Sequence, residues 1–120
     1  MTRHPFPHER LDAYHVARKA RVLAYRFTQS LPPGFGDEKR QINNAAASAV
    51  RNTAEGANRW RPAEKVLKFE IAAGEAGEAV AAVESLLDLE VGDEALAKDF
   101  LALEGRVGAM LTGLIRRHRG

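Results

Sequence analysis

A chain of 120 residues has room for one hydrophobic core, and 45% hydrophobic with 28% charged residues excludes both a disordered polymer and a membrane-embedded protein. No apolar run approaches the roughly 20 residues of a membrane span, and cysteine is absent, which removes disulfides, thiolate metal sites and thiol nucleophiles together. The formal charge of +2 conceals a segregation: residues 1–61 carry net +6, residues 62–104 net −8 and residues 105–120 net +4. The opening "MTRHPFPHER" has no apolar stretch after its basic residue, so a secretory signal is not expected and the bacterial cytoplasm is.

Four segments of helical period follow, separated by three short breaks. The first, about 9–30, places Ala13, Ala17, Ala20, Ala24, Phe27 and Leu31 at alternating spacings of four and three, one apolar seam. Leu11, Tyr14, Val22 and Tyr25 fall on another side of it. After the break "LPPGFG", a second helix over about 37–57 has Ile42, Ala45, Ala46, Ala49, Val50 and Thr53 on one face. Gln41, Asn44, Ser48, Asn52 and Glu55 lie on the other.

Pro62 suits the first position of a third helix running to about 91, with Phe69, Ala72, Ala73, Ala76, Val80, Val83 and Leu87 expected inside. A second stripe holds Leu67, Ile71, Gly74, Ala82 and Leu89. Gly92 is expected to end that helix and Asp93 to cap the next, about 93–117, whose seam is Leu96, Phe100, Leu103, Val107, Met110 and Leu114. Gly105 and Gly108 lie off the seam, and glycine costs about 1 kcal/mol against alanine there, so close packing is expected to compensate.

Short loops between long helices predict an all-α, antiparallel up-and-down four-helix bundle in a single domain over 1–120. The extra apolar stripes on the first and third helices either widen the core or form faces of an oligomer.

From residue 41 the chain reads "QINNAAASAVRNTAEGANR", with "KFEIAAGEAGEA" from 68 and "LDAYHVARKA" before it. These segments resemble the four-helix-bundle family of proteins encoded in 23S ribosomal RNA intervening sequences, in which Gln-Ile leads through small residues to Asn-x-Ala-Glu-Gly. The matching positions here are Gln41, Ile42, Asn52, Ala54, Glu55 and Gly56. The resemblance implies a bundle assembled into a ring, typically a homopentamer. Relatives include the accessory variability proteins of diversity-generating retroelements, basic rings that bind a reverse transcriptase and nucleic acid. The chain departs from the family at Asn43 and Asn44, where members commonly carry arginine.

Read without the family, Glu55 and Arg59 stand four apart in the favoured acid-first order, and Gly56 suits a helix end. Arg59, Trp60 and Arg61 then make a basic, aromatic corner. It is either a base-stacking or partner-binding patch or a cap on the bundle end. The tail "LIRRHRG" places Arg116, Arg117 and Arg119 where phosphates would be attracted, or where they complement a helix C-terminus.

Charge segregation offers a second use. In a head-to-tail assembly, Arg18, Arg21 and Arg26, with Tyr14 and Tyr25, would face Glu70, Glu75 and Glu78, with Ile71, of a neighbour. The alternative is pairing within one bundle. His4, His8 and His15 lie near the N-terminus and His118 in the tail, no phosphate loop or nucleophile elbow appears, and only Ala, Leu, Val and Phe are expected inside. The chain is therefore expected to be a non-enzymatic scaffold without metal or cofactor. Its expected partners are copies of itself, RNA or DNA, or a protein such as a reverse transcriptase.

Overall fold

The computed structural model describes residues 3–120 as four helices: α1 (Asp12–Gln29), α2 (Gly36–Asn58), α3 (Pro62–Asp88) and α4 (Glu94–Arg119). Among the described residues no strand occurs. Each helix packs on its neighbours in the order α1, α2, α3, α4 and back to α1, so α1 and α3 lie on one diagonal and α2 and α4 on the other. No helix is long and apolar enough to cross a membrane.

The α1 seam is buried as its spacing requires, from Ala13 to Leu31, and so is the α2 face from Ile42 to Thr53. Alanine dominates both, which brings the backbones of these helices close together. Before α1 the chain makes a 3-10 turn over Pro7–Arg10, where the sequence suggested that helix 1 had already begun. The turn is docked on the end of α2: the His8 amide donates to Asn58 Oδ1 at 3.2 Å, and Asn58 Nδ2 donates to His8 Nδ1 at 2.8 Å.

In α3 the buried stripe is Phe69, Ala72, Ala76, Ala79, Val83 and Leu86. Ala73, Val80 and Leu87 flank it, half-buried, so the inward face is turned slightly from the expected one. The same happens in α4, where Ala97, Phe100, Glu104, Val107 and Leu111 point inward while Leu96, Leu103, Met110 and Leu114 are flanks. Both sets obey three-four spacing, and choosing between them required knowing that α4 sits between α1 and α3. Apolar flanks then serve both neighbours, and the centre of the face falls on position 104.

The turn between α3 and α4 corrects the expectation for Gly92. Glu90 takes the left-handed conformation with φ 58°, the Val91 amide donates to Leu86 O and the Glu90 amide to Leu87 O. That is the Schellman arrangement, so Glu90 closes α3. Gly92, at φ 82°, instead lets Phe27 approach, since a Cβ there would stand 2.8 Å from its ring. Asp93 does cap α4, accepting from the Leu96 amide at 3.0 Å, and its own amide donates to Ser30 Oγ at 2.8 Å.

Gly56 is corrected likewise. The helix continues through it to Asn58, and a Cβ at this position would lie 2.6 Å from the Phe69 ring. The glycine is needed for α2 and α3 to close over Phe69, not to end a helix. At Gly105 and Gly108 a Cβ would meet nothing within 4 Å, so the expected close packing is absent within one bundle.

Candidate nucleic-acid interface

Up-and-down connectivity puts the start of α1, the end of α2, the start of α3 and the end of α4 at one end of the bundle. Arg59, Trp60 and Arg61 form the α2–α3 turn there, and Arg116, Arg117 and Arg119 close α4 at the same end. Segments from the middle and the far end of the sequence are thereby gathered with Arg10, Lys65 and Lys68. The opposite end carries Asp88, Glu90, Asp93 and Glu94 around the α3–α4 turn. The bundle is electrically polar along its axis.

The guanidinium of Arg119, the last helical residue of α4, pairs with Glu70 on α3. Trp60 sits in the α2–α3 turn and is 94% exposed. That exposure rules out a cap on the bundle end.

Acids already hold several of these cations. Glu55 accepts from Lys68 Nζ at 2.9 Å, and Arg59 stands 3.9 Å away. The Lys68 hydrogen bond, aided by the charges of Lys68, Arg59 and Arg51, holds the Glu55 carboxyl below its ordinary range against the opposing effect of desolvation. Arg61 pairs with Glu64 at 3.3 Å. Lys65 Nζ donates to the carbonyl of Ala57 at 2.9 Å and so helps close the end of α2. Arg116 and Arg117 have no carboxylate at ion-pair distance among the described residues. His118 packs against Phe69 with ring centroids 6.2 Å apart, and burial, followed by the nearby Lys65 and Arg117 charges, lowers its pKa.

The other motif positions are spread over the inner and outer sides of α2. Ile42 is in the core, Ala54 is half-buried, Gln41 lies at the edge of an α2–α3 groove, and Asn52 Nδ2 donates to the Ser48 carbonyl at 2.9 Å. Asn43 Nδ2 donates to Thr28 Oγ1 at 3.0 Å, tying α2 to α1.

Two further faces flank α2, one where it meets α1 and one where it meets α3. On the first, Tyr14, Arg18, Arg21, Val22 and Tyr25 line a groove of about 580 Å³ between α1 and α2. Tyr25 and Val22 are 57% and 50% exposed. Arg18 lies over the Tyr14 ring, 5.6 Å from its centroid. On the second, α3 exposes Leu67, Ile71 and Leu89, and both Glu78 and Leu89 line a groove against α2. Among the described residues Arg18, Arg21 and Arg26 pair with no carboxylate, and Glu75 and Glu78 with no cation. Within one bundle, therefore, Arg18, Arg21 and Arg26 do not pair with Glu75 or Glu78, whereas Glu70 pairs with Arg119 of its own bundle.

Sequence reasoning missed Glu104. It is 2% exposed in the middle of α4, neither carboxyl oxygen has a hydrogen-bond partner, and burial pushes its pKa up to about 7. Thr28 and Thr53 are also buried, but their hydroxyls donate to the Tyr25 and Ala49 carbonyls. The interior is therefore not wholly apolar. A signal existed: Glu104 is four residues after Phe100 and three before Val107. Among the described residues no three of His, Asp and Glu are grouped to hold a metal ion.

Comparison with known proteins comes to this. Residues 9–113 match the family described as 23S rRNA-intervening sequence protein. A crystal structure of a protein of unknown function from the S23 ribosomal protein family of Bacteroides thetaiotaomicron superposes with a TM-score of 0.69 at 19% identity. The match covers 87% of this chain and 97% of that one. At that identity the likeness establishes the fold alone. No curated protein matches the sequence.

Proposed function

The chain belongs to the 23S rRNA-intervening sequence protein family, and from that premise we propose that it is a non-enzymatic, homo-oligomeric scaffold of the bacterial cytoplasm whose basic end engages nucleic acid. The observation carrying this reading is the collection of Arg59, Arg61, Arg116, Arg117 and Arg119 at one end of the bundle. Arg116 and Arg117 lack internal counter-charges there, so a phosphate oxygen meets cations that need surrender no existing partner.

Two different faces support assembly. The cationic, aromatic surface of α1 and the acidic, aliphatic surface of α3 are complementary and belong to different helices, as a head-to-tail contact that closes into a ring requires. The family resemblance favours five copies. Copies related by rotation about an axis along the bundle present their basic ends on the same side and add their fields.

Fluorescence anisotropy with labelled structured RNA and duplex DNA, from about 50 to 200 mM salt, tests the nucleic-acid part. Binding that weakens steeply with salt is expected, and the Arg116→Ala/Arg117→Ala protein should lose about two from the log–log salt slope. Absence of binding at the lowest salt defeats it. Native mass tests the assembly: Glu75→Lys with Glu78→Lys should release monomers, and an unchanged mass sinks the α1–α3 contact.

The α1–α2 groove favours a second reading, in which a protein partner docks against Tyr14, Val22 and Tyr25 and nucleic acid has no part. That reading predicts monomers that keep their partner and ignore RNA.

A further inference from the structure

Trp60 is the chain's one tryptophan and, among the described residues, the most exposed large hydrophobic side chain. Single exposed apolar side chains are ordinary, but this one is held where a ligand would meet it. Only three residues separate α2 from α3; Arg59 and Arg61 are both extended, at φ −77°, ψ 153° and φ −85°, ψ 133°, and Pro62 begins α3. The residues on either side of Trp60 in the chain are engaged by acids, Arg59 at 3.9 Å from Glu55 and Arg61 at 3.3 Å from Glu64. The indole is thus presented on a short, braced tip, which lowers the ordering cost of using it.

We propose that Trp60 is a stacking platform for an unpaired base, so that the basic end takes single-stranded nucleic acid rather than duplex. This rests on the basic-end reading above and adds the class of ligand. An indole offers two π-faces and one N–H donor, suited to stacking on any base and poorly suited to reading base edges. In a duplex the base faces are occupied by their neighbours. The end also presents a turn and helix termini rather than the flank of a helix that would lie in a major groove. Arg116 and Arg117, without a carboxylate partner among the described residues, lie at the same end of the bundle, so a flexible strand stacked at Trp60 finds cations for its phosphates at the α4 terminus.

Because the chain has one tryptophan, its emission reports on this site alone. The full-length protein is titrated with oligo-U RNA, oligo-dT DNA and a duplex, each about 15 nucleotides or base pairs long. Tryptophan emission and anisotropy of the labelled oligomer are followed together. Both single strands should quench the emission and bind more tightly than the duplex; a preference between RNA and DNA would report contacts to the 2′-hydroxyl. Trp60→Ala should weaken single-strand binding about tenfold or more and leave duplex binding within about twofold, with Trp60→Phe between them.

Oligomer binding with unmoved emission, and Trp60→Ala equal to wild type, overturns stacking and leaves the basic-end reading standing. No binding of any oligomer at low salt overturns both. Quenching by oligo-glutamate but by no nucleic acid assigns the tip to an acidic protein partner and overturns the proposal.

Discussion

Glu104 and Trp60 are each on the wrong side of the surface for their chemistry. One is a carboxyl without a partner in the middle of α4; the other is an indole almost wholly in water at the end of the α2–α3 hairpin. The difference lies in who bears the cost. Glu104 has lost water and gained no bond, so folding carries its penalty. Trp60 has merely failed to find cover, which costs folding almost nothing and leaves surface for something else to bury. A buried inversion therefore appears in stability, and an exposed one in binding.

The largest effect separating them should come from pH. The folded pKa of Glu104, about 7, exceeds the ordinary 4.5, so the folded protein binds the proton more tightly. The protonated form is fully favourable below about pH 4.5, and stability falls as pH rises to about 7, by roughly 3 kcal/mol over the window. Glu104→Leu should remove that fall and be more stable than wild type at pH 8, as read by urea unfolding at pH 5 and 8. Equal slopes in both proteins would show the carboxyl to be solvated. His118, whose pKa is lowered, acts oppositely between its folded value and 6.5, and Glu55 acts below 4.5. Both are common to the two proteins and cancel in the difference.

A smaller effect lies under the hairpin. Gly56→Ala pushes a methyl group against the Phe69 ring and should cost about 1–3 kcal/mol by thermal unfolding. Phe69→Leu in the same chain should cost less than it does alone, because the two share one volume. Strict additivity would mean that the ring moves aside freely.

The smallest effect belongs to the tip. Trp60→Ala should change unfolding free energy by less than about 0.5 kcal/mol. A larger loss would show that the indole packs on its own bundle, and the contrast with Glu104 would fail.

Much of the fold was legible in the chain. Three-four spacing in alanine-rich segments, Pro62 at a helix start and Asp93 as a cap placed four helices nearly where they lie, since these signals act within a few residues. The inward faces of α1 and α2 were legible too, because a stripe rich in alanine at three-four spacing marks each. Those of α3 and α4 were not, because apolar residues surround more of each helix. Only the neighbours then decide which stripe is central, and so whether residue 104 is inside.

Sequence alone determined the helices, their antiparallel order, and the candidate cations and aromatic. Tertiary structure decided what those residues face. It joined the hairpin arginines to the tail at one end, put Phe69 against Gly56, separated α1 from α3 by a diagonal, and left Glu104 dry and Trp60 wet. Local pattern is set by residues one or two turns apart, whereas burial and charge pairing depend on chains that meet only after folding.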